Sequence, residues 1–165
     1  KELADDYTPT RPVIQHAIRE LASDSFSFQY LCVIYPGSPL LLASDLQSGF
    51  NRLIEERAAF VFSASEYSHP IQRALRFRSD GGVEMVRPEY RNKRTQDLEP
   101  AFYDAGQFYW GTTEAFLSDL PTFGPASRPI LLPPWRAVDI DREEDFVLAE
   151  MLKTSTLAKS SGAFG

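Results

Sequence analysis

Two carboxylates, Asp139 and Asp141, stand two residues apart in Ala137-Val-Asp-Ile-Asp141. On an extended segment residues i and i+2 point the same way, so the pair could share one hard divalent cation such as Mg²⁺. The same residues have a second reading. Asp141-Arg-Glu-Glu144 has the form of a helix cap followed by an acid at the third helical position. The other chemically loaded stretch is Arg94-Thr-Gln-Asp-Leu-Glu-Pro-Ala-Phe-Tyr-Asp-Ala-Gly-Gln-Phe-Tyr-Trp110. It opens with a cation and an amide donor, Arg94 and Gln96. It ends in a β-prone aromatic run carrying Tyr109, which Gly111 is expected to stop. Such a strand can carry polar groups to a pocket rim. It can equally be a core strand with an aromatic face behind a solvated basic loop.

Two further positions qualify as site residues. Tyr35 ends an apolar run and opens the rigid turn Tyr35-Pro-Gly-Ser-Pro39. In open α/β sheets ligands bind beyond the carboxyl ends of strands, so this turn is a candidate; an ordinary strand-end aromatic is the alternative. Arg73 closes the loop Glu66-Tyr-Ser-His-Pro-Ile-Gln-Arg73. Its guanidinium suits a carboxylate or phosphate, with Gln72 as the neighbouring possibility and a solvated arginine as the plain reading. His16 and His69 read as a helix-surface and a turn residue.

Composition limits the function classes. The chain has 165 residues, 43% hydrophobic and 24% charged, which is globular composition and one domain by length. A net charge of −6 disfavours non-specific nucleic-acid binding. One cysteine excludes an internal disulfide framework, and two histidines with one cysteine do not make a zinc site of the usual type. No apolar run reaches the ~18 residues of a membrane span. The first residues lack the basic and apolar regions of a signal peptide, and no Gly-rich phosphate motif occurs.

The elements that must position these residues follow in order. Thr8-Pro-Thr-Arg-Pro12 opens a helix that Thr10 can cap. Phe28 to Tyr35 is continuously apolar and reads as a buried central strand. Ser44-Asp-Leu-Gln47 is a capping box for a helix to about Arg57, and Ala58 to Ser65 is the next strand, together suggesting a βαβ unit. Leu75 to Val86 reads as a hairpin about Asp80-Gly-Gly82. A short helix at Thr112–Ser118, a brief strand at Ile130–Leu132 and a helix from Arg142 to Lys153 complete the chain. The fold expected is an α/β, Rossmann-like, mostly parallel sheet with helices on both faces. Residues 1–153 form the domain, 66–100 project as a hairpin region, and 154–165 form a flexible tail.

The run RTQDLEPAFYDAGQFYW resembles the signature of the cytidylyltransferases that activate nine-carbon keto sugar acids as CMP-sugars, in the form carried by the pseudaminic acid branch. The 35–39 turn resembles that family's loop facing the sugar acid, although Gly37 departs from the usual residue. Residues 139–145 resemble its aspartate motif, with Arg142 departing and Asp145 matching. The resemblance runs from about Glu2 to about Glu150.

It implies transfer of CMP from CTP to the sugar acid, for surface glycan or flagellin glycosylation. Asp139 and Asp141 are then the catalytic carboxylates holding Mg²⁺, and Tyr35, Arg73, Arg94, Gln96 and Tyr109 surround the sugar acid. The resemblance further implies a homodimer joined through the hairpin region, and the single cysteine fits a reducing cytoplasm. The family's triphosphate loop precedes this region and has no counterpart here, so the chain is expected to be part of a longer enzyme. Two alternatives stay open: a non-catalytic piece that binds the sugar acid or only dimerises, and a metal-dependent phosphohydrolase using the same aspartates.

Overall fold

The computed structural model describes Leu3, Asp5 and residues 7–160. In chain order the elements are α1 (Thr10–Ser23), β1 (Tyr30–Ile34), α2 (Ala43–Glu55), β2 (Phe60–Glu66), β3 (Leu75–Phe77), β4 (Val83–Met85), β5 (Phe102–Thr112), α3 (Thr113–Leu117), β6 (Ser127–Leu132) and α4 (Glu143–Ser160).

Four strands form the central sheet in the order β1-β5-β2-β6. Strand β5 is antiparallel to both β1 and β2, and β2 pairs parallel with β6. Three of the four strands therefore run in one direction, which is the mostly parallel α/β sheet expected. The simple βαβ reading is corrected in one respect: β5 lies between β1 and β2, so the two strands joined by α2 are not neighbours.

Neighbouring residues on β2 point to opposite faces, and each face has its own helices. Phe60 packs with Ile18 of α1 and with Ala115 and Phe116 of α3, flanked by Leu31, Val33 and Tyr109. Val61, the next residue, packs with Leu53 of α2 and Ala58, flanked by Tyr30, Trp110 and Ile130. Phe60, Val61 and Phe108 have no exposed surface, so the core is a sandwich with β2 and β5 at its centre.

Strand β1 is the main departure from expectation. It lies at the sheet edge and is only half-buried, with Ile34 50% exposed. Its continuous apolar run reports that both faces are covered, Leu31 and Val33 by α1 and Tyr30 by Phe50 of α2. Periodicity carries no information about which strand lies alongside. Gly111 does not stop β5, which continues to Thr112. A Cβ there would come within 2.5 Å of the Phe116 ring, so glycine is present for close packing.

Several caps also differ. Helix α1 starts at Thr10 with Pro9 before it and no side-chain cap, leaving the Thr10 hydroxyl free to accept from Tyr35 Oη at 2.9 Å. Helix α2 starts at Ala43, and Asp45, not Gln47, reaches back to the Leu42 N–H at 3.1 Å. Helix α4 continues to Ser160, so 154–160 are helical where a tail was expected; 161–165 lie outside the described residues.

The hairpin is present as β3 and β4, paired Leu75 to Met85 and Phe77 to Val83 in a separate two-stranded sheet. Its turn uses Gly81 at φ +85° and an Asp80 carboxylate that accepts from the Gly82 N–H at 3.0 Å. Among the described residues no helix is long and apolar enough to cross a membrane.

Candidate functional site

The carboxyl ends of β1, β2 and β6 open on the same side of the sheet, because these strands share a direction. Two loops meet there. The Tyr35 N–H donates to the Gln107 carbonyl at 3.0 Å, and the Ile140 N–H donates to the Gly37 carbonyl at 3.2 Å. The turn after β1 is thus stitched on one side to β5 and on the other to the loop after β6.

Strand β5 is shaped for this meeting. Its pairing with β2 shifts register between Phe62 and Ala64, and Gly106 there has φ +64°. The buried Ser63 hydroxyl fills the gap, accepting from the Gln107 N–H at 3.0 Å and the Phe108 N–H at 3.2 Å. Asp104 Oδ1 accepts from the Gly106 N–H at 3.0 Å, an Asx turn closing the bulge. The buried Gln107 amide donates from Nε2 to the Arg136 carbonyl, and Arg136 Nη1 pairs with Asp45 Oδ2 at 2.5 Å. The loop leading to Asp139 is therefore anchored on β5 and α2 together.

Asp139 projects between two glycines. A Cβ on Gly37 would stand 2.5 Å from Asp139 Oδ1, and one on Gly106 would stand 3.5 Å from Oδ2. Desolvation in this cradle raises the Asp139 pKa; the nearby Asp141 charge raises it further, Asp145 and Asp104 add to this, and the Ile140 N–H opposes it. Both Asp139 and Asp141 are nonetheless exposed. The capping alternative for Asp141 is resolved locally: Asp145 Oδ2 accepts from the Asp141 and Arg142 N–H groups at 3.2 and 2.9 Å, so Asp145 caps α4.

Tyr35 and Tyr109 stand side by side with ring centroids 5.3 Å apart. The Tyr109 hydroxyl donates to Asp104 Oδ2 at 2.5 Å. Desolvation and then this hydrogen bond push the Tyr109 pKa far up, so the phenol keeps its proton. Thr10, Arg11, Tyr35, Asp104, Tyr109 and Phe123 line much of a cavity of about 240 Å³. Asp104 and Phe123 also border a second cavity of about 330 Å³ against Phe62 and Phe102, so the two hollows adjoin.

The remaining sequence candidates sit on the hairpin side of the chain. Arg73 donates from Nη1 to the Arg91 carbonyl at 3.2 Å and from Nη2 to the Lys93 carbonyl, tying down the loop before Arg94. Arg94 grips Asp97 with two donors, at 2.9 and 3.1 Å, with its side chain 71% exposed. Gln96 is exposed on the short turn Thr95–Asp97. Gln72 is buried and donates to the Glu99 carbonyl at 3.0 Å, a tie within this region. The structure thus brings Tyr35 and Tyr109 together with the Asp139 charge nearby, leaves Asp141 exposed at the start of α4, and gives Arg73 and Arg94 partners within their own segment.

Among the described residues no group of three or more His, Cys, Asp or Glu side chains is arranged to hold a metal. Mg²⁺ takes one or two carboxylates and fills its sphere with water and substrate phosphate. The like-charge raising of the Asp139 pKa by Asp141 is the repulsion a cation would relieve, so the donor set fits. Asp104, Ser63 and Thr10 were missed in the sequence. Only Asp104 carried a signal, the Asp-Ala-Gly pattern of an Asx turn.

No protein-family model matches the chain. Similarity to characterised proteins is extensive. The chain is 36% identical over 152 residues to the pseudaminic acid cytidylyltransferase of Campylobacter jejuni serotype O:2, and 35% identical to that of serotype O:23/36. In both cases 92% of this chain aligns and spans 66% of the relative's length. It is also 32% identical over 151 residues to a Helicobacter pylori protein named pseudaminic acid cytidylyltransferase and UDP-2,4-diacetamido-2,4,6-trideoxy-beta-L-altropyranose hydrolase, spanning 28% of that protein.

Proposed function

From the premise that this chain belongs to the pseudaminic acid cytidylyltransferase family, we propose that it carries the sugar-acid half of a CMP-transfer site. The observation that carries this reading is the placing of Asp139 between Gly37 and Gly106 beside the Tyr35–Tyr109 pair. The reaction is CTP + nine-carbon sugar acid → CMP-sugar + pyrophosphate. The anomeric hydroxyl attacks the α-phosphorus, the bond to the β-phosphate oxygen breaks, and pyrophosphate leaves. Such a transfer depends on positioning and charge neutralisation, and needs no protein nucleophile.

Asp139 and Asp141 are the residues that would hold Mg²⁺, which when bound supplies positive charge to the phosphates. Tyr35 and Tyr109 form an aromatic wall for the sugar. Arg94 already offers a carboxylate two donors through Asp97, the geometry the sugar's carboxylate would use after exchanging with that side chain. Arg73 acts one step back by fixing the Arg91–Lys93 carbonyls, and Gln96 extends the polar rim. Leu75, Phe77 and Val83 expose 63%, 87% and 61% of their surfaces on the hairpin, an apolar patch that suits a homodimer contact. We place the enzyme in the cytoplasm, with its product serving surface glycans.

The test is pyrophosphate release by the complete gene product with CTP and pseudaminic acid, against the same acid with CTP omitted. Release that is lost in Asp141→Ala at unchanged Tm supports the proposal; near-normal release by that variant overturns the metal role. Heat of sugar-acid binding with no pyrophosphate release would mark a non-catalytic binder. Inorganic phosphate released from a CMP-sugar would mark a phosphohydrolase.

A further inference from the structure

We infer that Asp104 is a specificity-determining positioning residue, which locks Tyr109 as a hydrogen-bond acceptor so that the site selects a substrate hydroxyl or amide N–H at that point. This rests on the reading of the Tyr35–Tyr109 cavity as the sugar-acid site.

A tyrosine hydroxyl has one proton and can donate once. Tyr109 gives that proton to Asp104 Oδ2 at 2.5 Å. An ionised carboxylate accepts and cannot donate in return, so the direction of the bond is fixed. What Tyr109 still offers the cavity is the lone-pair side of its oxygen, and a group facing it must bring a proton. Asp104 is itself held: Oδ1 accepts from the Gly106 N–H at 3.0 Å, within the bulge that Ser63 supports from below. The neighbouring Tyr35 Oη donates to Thr10 Oγ1 at 2.9 Å, a bond between two hydroxyls that can reverse where the Tyr109–Asp104 bond cannot. Tyr109 has spent its proton on the protein, so in the cavity of about 240 Å³ that it lines its oxygen stands as an acceptor. A sugar acid with free hydroxyls can supply that proton. A ligand presenting an ether or carbonyl oxygen to Tyr109 would leave two acceptors facing each other, and the site would reject it.

Asp104→Asn tests the polarity without removing the side chain. With Oδ1 still accepting from Gly106, the new Nδ2 faces the Tyr109 oxygen and donates to it. The Tyr109 proton then turns into the cavity, and the wall changes from acceptor to donor. The expected result is a KM for pseudaminic acid raised about tenfold, with kcat and the KM for CTP changed less than about threefold. Tyr109→Phe removes the group Asp104 acts through, so Asp104→Asn/Tyr109→Phe should match Tyr109→Phe alone in sugar-acid KM. A purely structural role would instead make the two changes additive and lower the Tm of both Asp104 variants. An unchanged sugar-acid KM in Asp104→Asn, or additivity in the cycle, overturns the inference. Calorimetric titration with pseudaminic acid separates this from the proposed function. Binding that Asp104→Asn weakens, in a wild type that releases no pyrophosphate, keeps the inference and overturns the transferase reading. Wild-type turnover with an indifferent Asp104→Asn does the reverse. A wild type that neither turns over nor binds the acid overturns both.

Discussion

Asp139 Oδ1 occupies the space a side chain at residue 37 would need, 2.5 Å from the ideal Cβ position. Gly37 does not have a positive φ, so the requirement is for room and not for backbone freedom. The atom in the way is the end of a mobile side chain, so the fold can absorb an added methyl by turning Asp139 aside. Gly37→Ala is therefore expected to keep its Tm within a few degrees and lower pyrophosphate release by roughly 10–100-fold, the scale of a ~1 Å misplacement of a positioned group. Parallel thermal melts and initial rates check both halves. Wild-type rates in Gly37→Ala would detach Asp139 from the chemistry.

Ser63 holds the bulge. Its hydroxyl is the acceptor for two buried N–H groups, those of Gln107 and Phe108. Ser63→Ala leaves both without a partner in a place water does not reach, and the cost expected is about 2–4 kcal/mol of unfolding free energy. Denaturant melts measure it. A loss under ~1 kcal/mol would mean that the strand closes the gap by itself.

The Asp45–Arg136 pair connects α2 to the loop that delivers Asp139. Their side chains are 10% and 21% exposed, and Asp45 also caps α2 through the Leu42 N–H. Asp45→Ala removes the cap and strands a mostly buried guanidinium, for an expected loss of about 3–5 kcal/mol. Arg136→Met keeps the cap, so denaturant melts should show a smaller loss. Equal losses would show that the ion pair, and not the cap, carries the whole effect.

The sequence showed element types more clearly than neighbours. Helix α2 and the hairpin were legible because apolar spacing and the Asp80-Gly81-Gly82 turn are local signals. That β5 would insert between β1 and β2 was not, since a strand's residues report what covers its faces and not what lies beside it. In the site, Asp139 and Tyr109 stood out by type and by family resemblance. Asp104 and Ser63 did not, because their roles come from a register shift created only when β2 and β5 pair. Arg73 was readable as a cation, but its use on the Arg91 and Lys93 carbonyls is a long-range contact.

Cys32 lies half-buried on β1, and desolvation raises its thiol from the usual 9.0 to about 12. The folded protein keeps this proton between those values while the unfolded chain loses it. Stability is therefore unaffected below the unfolded pKa and falls as pH rises from 9.0 toward about 12. At pH 8 the thiolate is scarce, so alkylation by iodoacetamide should run about a thousandfold slower than in the denatured chain. Mass spectrometry of the time course checks this; equal rates would place the thiol in open solvent.

Asp139 allows the sign of a charge effect to be read at the site itself. Its pKa is raised in the fold, chiefly by desolvation and then by Asp141. Below the unfolded value of 3.8 both states carry the proton and no cost arises. As pH climbs through the folded value, the native state must give up its proton beside like charges, and stability falls relative to a neutral side chain. Above the folded value that penalty is complete. Asp139→Asn removes it while keeping the shape, so the metal-free variant should melt slightly above the wild type at pH 7, with the gap closing toward pH 3. Saturating Mg²⁺ with CTP should reverse the order, because only the carboxylate gains from a cation. Differential scanning calorimetry at the two pH values, with and without Mg²⁺ and CTP, reads all four cases. A variant that melts below the wild type in metal-free buffer at pH 7 would mean that Asp139 is held by a favourable partner, and that the repulsion argued for this carboxylate pair is absent.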